Sequence, residues 1–279
     1  MGEGQMPSTK SILATGQRLV ALTTSRARLL PNFLIIGAKR AGTTSLYEYI
    51  VEHPGVVRSR LPKGSHYFDV RFSRGWNWYR STFPLARHHR VITGEASPYY
   101  LFHPLAPRRI AAALPHVRLI AILRDPVDRA YSQYQFERRS GFEELPLEQA
   151  LDQEPERLAG EVERMVNEPG YQSFAYRHHG YLARGRYAQQ LERLYGLVSP
   201  SRVLVLQSEM LLADPNAVLD RVWRFLGLPP NTLGSPRLLD SGSYQPMPDT
   251  IRDRLRTYYE VPNQRLYELP GVDFRWPTG

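Results

Sequence analysis

The stretch FLIIGAKRAGTTSLYEYI, residues 33–50, combines an apolar run, two glycines and a helical pattern. Its apolar residues lead into Gly37, and the helical pattern resumes at Ser45, so the predicted order is strand, glycine loop and helix. Backbone amides at the start of a helix have no partners within the helix and attract anions. The stretch therefore predicts a phosphate-binding loop that follows a buried strand.

This loop differs from the loop of nucleoside triphosphate enzymes, which has the form G-x-x-x-x-G-K-[ST]. Gly37 and Gly42 keep the spacing of the two glycines, but Thr43 occupies the position of the lysine. The nearest ammonium group, that of Lys39, lies inside the loop. Because the missing lysine is the one that reaches the terminal phosphates, the loop predicts a phosphate-containing ligand other than a triphosphate.

Three further stretches have the composition of buried strands, namely residues 90–96, 117–124 and 202–207. Helical patterns lie between them, and this alternation is typical of a parallel sheet with helices on both faces. We therefore predict an α/β fold, with one domain built on a central parallel sheet of about five strands. Because ligands collect at the carboxyl ends of such strands, the glycine loop and the turn after residue 124 should face one crevice.

The chain divides by composition into a basic arm at residues 1–30 and a domain at residues 31–279. Within the domain, residues 140–180 are the most polar and charged part, and they predict a helical insert that would close over the site as a lid. A pair of solvated surface helices explains the same composition.

Composition also narrows the class of function. A net charge of +9 favours anionic ligands, but no nucleic-acid-binding motif accompanies it, so no nucleic-acid partner is predicted. The absence of cysteine excludes thiolate nucleophiles and thiolate metal sites. No apolar run approaches the roughly 20 residues of a membrane span, so we expect a cytoplasmic protein without stable membrane insertion. The adjacent pairs His88-His89 and His178-His179 are predicted to be surface histidines rather than metal ligands.

A second informative stretch is LIAILRDPVDRAYSQYQ, residues 119–135. A buried strand brings Arg124 to its carboxyl end, and a helix that starts after Asp125 carries Ser132 about two turns on. A guanidinium group and a hydroxyl group in this arrangement are able to bind one phosphate together. The chain thus presents an anion-binding element at each of two neighbouring strand ends.

These two stretches resemble the cofactor motifs of the sulfotransferase superfamily that uses 3′-phosphoadenosine 5′-phosphosulfate. The sequences HPGV, HYFD, WYRSTFP, GEASPYY and SGSYQPMP occur in the order found in its bacterial and heparan-type carbohydrate branch, and the resemblance covers residues 31–276. It implies a parallel sheet related to that of nucleotide kinases. It also implies transfer of a sulfuryl group to a hydroxyl or an amine of a carbohydrate, lipid or secondary-metabolite acceptor.

The resemblance further implies which residues bind the donor. The 5′-phosphosulfate loop would use Lys39, Arg40, Ala41, Gly42, Thr43, Thr44 and Ser45, and the 3′-phosphate would be bound by Arg124 and Ser132. A carboxyl-terminal loop with Gly242, Ser243 and Tyr244 would close over the donor. Lys39 is the candidate for stabilising charge on the leaving oxygen. Because the transferring group carries one negative charge, no metal ion should be required.

The candidate base is where the sequence departs from this family. Heparan-type relatives carry a catalytic glutamate two residues before the histidine of the HYF element, and that position here is Gly64. The remaining candidates are His66, which we favour because an imidazole suits neutral pH, Glu95 and Lys63. A structural role for His66 remains an alternative, and so do two other functions. One is a small-molecule kinase that uses ATP and Mg²⁺, and the other is a non-catalytic nucleotide-binding module.

Overall fold

The computed structural model describes residues 21–61, 64–86, 91–234 and 245–277. Its sheet contains β1 (Phe33–Gly37), β2 (Gly94–Ala96), β3 (Arg118–Leu123) and β4 (Val203–Gln207), in the order β2-β1-β3-β4. All three strand pairs are parallel, which confirms the predicted α/β class. The described residues form four strands rather than about five.

The second strand is shorter than the predicted segment of residues 90–96. Ile92 forms an isolated parallel bridge with Val56 instead of extending β2 along β1. Only the last three residues of the apolar segment therefore pair with β1, where Phe33 lies opposite Gly94 and Ile35 lies opposite Ala96.

The helices alternate with the strands, as the sequence pattern predicts. They are α1 (Thr43–Ile50), α2 (Trp76–Ser81), α3 (Ala106–Ala113), α4 (Pro126–Arg139), α5 (Leu147–Leu158), α6 (Glu161–Asn167), α7 (Phe174–His178), α8 (Tyr187–Tyr195), α9 (Ser208–Ala213), α10 (Pro215–Leu226) and α11 (Asp249–Tyr267). Asp214 caps α10, because its carboxylate accepts a hydrogen bond from the Ala217 amide. Asp125 caps α4 in the same way through the amide of Val127.

Both faces of the sheet are buried, which explains why its strands are apolar runs without alternation. Leu34 and Ile36 pack on one face together with residues of α3 and α8. Phe33 and Ile35 pack on the opposite face with residues of α1 and α10. Since neither face is left for solvent, a ligand of the sheet has to approach it at the carboxyl edge of the strands.

Helices α5, α6 and α7 lie within the polar segment of residues 140–180. Leu151 of α5 packs with Tyr131 and Tyr134 of α4 and with Leu255 of α11. The buried carboxylate of Glu154 accepts hydrogen bonds from the backbone that follows α7. The segment is therefore fastened to α4, the helix that begins beside Arg124.

The part of the basic arm that the structure describes, residues 21–30, packs on the domain. The buried guanidinium group of Arg28 donates to the Phe83 carbonyl at 2.7 Å, and the backbone of Leu29 donates to Pro84. Across the described ranges, the structure contains no helix with both the length and the apolar character of a membrane span.

Candidate active site

The glycine loop connects β1 to α1 at the carboxyl edge of the sheet. The Ala38 amide donates to the Ile122 carbonyl of β3 at 2.7 Å, which ties the loop to the neighbouring strand. Gly42 precedes α1 with a φ of 85°, a left-handed conformation that glycine adopts without strain. Thr43 and Ser45 are buried, whereas Thr44 is exposed at the start of α1. The first turn of this helix thus opens toward the same edge as the end of β3.

Lys39 points from this loop to α4. Its Nζ lies 2.5 Å from Oε1 of Glu137, and Oε2 of Glu137 lies 2.9 Å from Nδ1 of His178. The ammonium group also lies 5.2 Å from the centre of the Phe136 ring, and the Arg40 guanidinium group lies 5.1 Å from it. The loop, α4 and the end of α7 therefore meet at one buried carboxylate.

The prediction that His178 is a surface residue is wrong, since only 9% of the residue is exposed. Helix α7 folds back against α4, and the imidazole contacts the rings of Phe142 and Phe174 at centroid distances of 4.4 and 4.5 Å. His179 is half-buried, and the pair His88-His89 lies outside the described residues.

Charged groups of both signs affect the pKa of Lys39. Burial lowers its pKa to about 8, Arg184 and Arg177 also lower it, and Glu137 opposes the shift. For Glu137, burial alone would raise the pKa, but the hydrogen bonds from His178 and Lys39 hold it below its usual value. Glu137 is therefore an anion at neutral pH although its side chain is fully buried.

Arg124 and Ser132 lie at the neighbouring strand end. Arg124 follows the last residue of β3, and no residue in the described ranges forms a hydrogen bond or ion pair with its guanidinium group. Ser132 is buried on α4, and its Oγ accepts a hydrogen bond from Nε of Arg40 at 3.2 Å. The structure thus joins Ser132 to the glycine loop through Arg40.

The predicted closing residues Gly242, Ser243 and Tyr244 lie outside the described residues. The chain re-enters the described part at Gln245, whose carbonyl accepts a hydrogen bond from Tyr131 at 2.7 Å. Tyr131 precedes Ser132 on α4, so Gln245 is held against the helix that carries Ser132.

His66 is oriented by a carboxylate. Its Nδ1 lies 2.8 Å from Oδ2 of Asp69, whose side chain is fully buried, and its backbone amide donates to Ser97 at 3.0 Å. The ring is partly exposed, and no described residue hydrogen-bonds its Nε2. A neutral imidazole in this tautomer donates through Nδ1 and keeps Nε2 as a proton acceptor. Asp69 was not predicted, although it closes the HYFD motif.

Glu95 has a different environment, because it is 1% exposed and both of its oxygens are occupied. Five groups donate to the carboxylate: the amide and hydroxyl of Ser65, and the hydroxyls of Tyr79, Ser97 and Tyr100. This network fastens the segment before His66 to the end of β2. Lys63, the remaining candidate base, lies outside the described residues.

Gly64 is packed directly against the chain that follows β2. A Cβ atom at this position would lie 1.9 Å from the Ala96 carbonyl oxygen and 2.4 Å from Ser97 Oγ. The position of the family glutamate therefore has no room for any side chain unless the backbone moves. In the described ranges, no group of three or more metal-ligating side chains is present either.

The comparison with known proteins identifies the class. The family model of the sulfotransferase domain matches residues 30–247. The chain therefore belongs to the sulfotransferase family, within the superfamily of enzymes that use 3′-phosphoadenosine 5′-phosphosulfate, and the predicted resemblance is confirmed. The kinase alternative is not favoured.

Individual relatives support this assignment. The chain is 31% identical to human heparan sulfate glucosamine 3-O-sulfotransferase 6, over 89% of this chain and 74% of that protein. It is 30% identical to mouse bifunctional heparan sulfate N-deacetylase/N-sulfotransferase 4, over 86% of this chain but 30% of that protein. The crystal structure of a sulfotransferase from Alicyclobacillus acidocaldarius superposes with a TM-score of 0.70 and 27% identity, and covers 88% of this chain and 98% of that one.

Proposed function

We propose that the protein transfers a sulfuryl group from 3′-phosphoadenosine 5′-phosphosulfate to a hydroxyl or an amine of a glycan. The observation that carries this proposal is the position of Lys39, in a phosphate-type loop beside a second anion-binding strand end. The glycan acceptor is supported by the heparan sulfate enzymes among the relatives.

In this proposal each of the two strand ends binds a different phosphate of the donor substrate. Amides and hydroxyls of Thr43 and Thr44 would bind the 5′-phosphate at the start of α1, where free donors and the helix dipole favour an anion. Arg124 and Ser132 would bind the 3′-phosphate by charge-assisted hydrogen bonds. Two observations support this division: no described residue forms a hydrogen bond or ion pair with the Arg124 guanidinium group, and Ser132 contacts Arg40.

The transfer step would use a base that accepts the acceptor's proton and a cation that stabilises the leaving oxygen. The acceptor hydroxyl would lose its proton to Nε2 of His66 while its oxygen forms a bond to sulfur. The bond between sulfur and the bridging oxygen would break in line, and the charge that develops on this oxygen would be stabilised by Lys39. Asp69 would orient His66, and Glu95 would hold the segment that carries it. Since no step needs a divalent cation, activity should persist in a chelator.

The acceptor would lie over the exposed rings that contact His178, the partner of Glu137. Phe142 is 42% exposed and Phe174 is 52% exposed, their rings lie 5.7 Å apart, and each ring contacts that of His178. We call these three rings the aromatic surface. Aromatic side chains offer a large apolar surface, so the C–H face of a sugar ring would pack here while one of its hydroxyls faces Lys39.

Replacement of Lys39 by alanine tests this proposal. Because the main contribution of the ammonium group is made in the transition state, kcat should fall by about 100- to 1,000-fold, while donor affinity changes far less. We would measure kcat with heparan-type oligosaccharides and donor affinity by calorimetry with adenosine 3′,5′-bisphosphate. An equal loss of kcat and of affinity would contradict the assigned role of Lys39.

A further inference from the structure

We propose that Glu137 is a positioning residue that keeps the Lys39 ammonium group charged and fixed for the transfer step. This inference rests on the proposed function, because it assigns Lys39 to the leaving oxygen. Glu137 lies 98 residues away from Lys39 in sequence and belongs to no motif identified above.

The geometry of the carboxylate supports a fixed position. One oxygen lies 2.5 Å from Lys39 Nζ and the other lies 2.9 Å from His178 Nδ1, so neither is free to rotate away. His178 is itself held by ring contacts with Phe142 and Phe174. Because burial lowers the pKa of His178, the imidazole is neutral at physiological pH and donates through Nδ1. Glu137 therefore keeps its negative charge for Lys39.

The remaining charges around Lys39 oppose its protonation. Arg184 is buried, and among the described residues its Nε and Nη1 atoms have no hydrogen-bond partner. Together with burial and with Arg177, it lowers the pKa of Lys39 to about 8. Glu137 raises this pKa through its charge and its hydrogen bond. Without Glu137, Lys39 would face two cations in a poorly solvated site and would lose its proton at a lower pH.

The expected pH dependence follows from the directions in which these groups shift the pKa of Lys39. In the donor-free protein, Lys39 should be charged below pH 8 and should lose its charge as the pH rises through that value. Replacement of Glu137 by glutamine removes a contribution that raises the pKa, so the midpoint should move to lower pH. The value of kcat/KM for the donor reports the free enzyme, and its alkaline limb should move in the same direction.

Competitive labelling with acetic anhydride measures the midpoint without any turnover. The full chain, free of donor, is acylated across a series of pH values, and the peptide that contains Lys39 is quantified by mass spectrometry. Glu137→Gln should lower the midpoint, and Glu137→Asp, which keeps the charge on a shorter side chain, should give an intermediate value. An unchanged midpoint in a folded variant would overturn the proposal. If Glu137→Gln does not fold, the aspartate variant decides by the same criterion.

Two controls separate a role in tuning from a role in folding. Glu154→Gln removes another buried carboxylate, which binds the Leu182 and Ala183 amides, and should leave the Lys39 midpoint unchanged. Lys39→Arg should remove the alkaline limb of the kcat/KM profile, because a guanidinium group stays charged. Adding Glu137→Gln to this variant should then leave the pH profile unchanged. If Glu137→Gln lowers activity but leaves the alkaline limb of kcat/KM at the same pH, Glu137 has a merely structural role. Because labelling needs no donor, it also remains decisive if the proposed transfer itself is not observed.

Discussion

Replacement of Arg124 by alanine should remove the recognition of the 3′-phosphate and little else. The guanidinium group forms no hydrogen bond or ion pair with any described residue, so the substitution breaks no such bond within that part of the fold. Hydrogen bonds to charged groups contribute about 1.5–3 kcal/mol each. Since 1.4 kcal/mol corresponds to a factor of ten, Kd for adenosine 3′,5′-bisphosphate should rise about 10- to 150-fold.

The assay compares two ligands by calorimetry. The wild-type chain should bind adenosine 3′,5′-bisphosphate more tightly than adenosine 5′-monophosphate, and Arg124→Ala should abolish most of this preference. Affinity for the monophosphate should be unaffected, because that ligand lacks the group that Arg124 binds. Arg139→Ala changes the net charge equally at an exposed position near the end of α4, and it should alter neither affinity.

Two outcomes of this comparison would contradict the assigned role of Arg124. An equal loss of affinity for both ligands would mean that Arg124 acts on the adenosine, on the 5′-phosphate or on the fold. Unaltered affinity for the bisphosphate would exclude Arg124 from the site altogether.

Two further substitutions test the base region and the acceptor region. Gly64→Ala places a methyl group 1.9 Å from a backbone oxygen, so it should cost about 1–3 kcal/mol of stability and lower Tm by several degrees. Gly234→Ala, whose added methyl group meets no atom of the described residues within 4 Å, is the matched control, and equal Tm values for the two variants would refute the close packing. Phe174→Ala should raise KM for a glycan acceptor about 2- to 10-fold, as expected for one aromatic contact, without a change in donor affinity. Tyr258→Ala, at a 38% exposed aromatic residue of α11, should leave both values unchanged, and an equal effect of the two substitutions would argue against the aromatic surface.

Local sequence patterns predicted most of the secondary structure. The first, third and fourth strands begin and end within about one residue of the predicted segments, because a strand buried on both faces is a continuous apolar run. The prediction for the second strand is too long, since an apolar run does not reveal which neighbour it pairs with. Ile92 pairs with Val56 and leaves only three residues to β1.

The site was less predictable, because its key contacts join distant parts of the chain. Lys39 was predicted from the loop pattern, but its partner Glu137 carries no local signal in a helix rich in charged residues. The bond from Glu137 to His178 depends on the way α7 folds back on α4, and no periodicity encodes that contact. His178 was accordingly assigned to the surface, although it is buried against two aromatic rings.

The departure at Gly64 illustrates the same limit of local patterns. Comparison with the family motif showed that the glutamate is missing, but only the structure shows that the segment packs too closely for a side chain there. The neighbouring Glu95 already accepts hydrogen bonds from five donors, so we favour His66, oriented by Asp69, as the base.

Thermal unfolding of the wild-type chain with two nucleotides tests the proposed donor class before any acceptor is known. At about 100 times its dissociation constant, a ligand adds roughly 2.7 kcal/mol to the free energy of unfolding. Adenosine 3′,5′-bisphosphate should therefore raise Tm by several degrees in the presence of EDTA, and ATP with Mg²⁺ should not match this effect. Stabilisation by ATP with Mg²⁺ alone would contradict the account of the glycine loop and of Arg124.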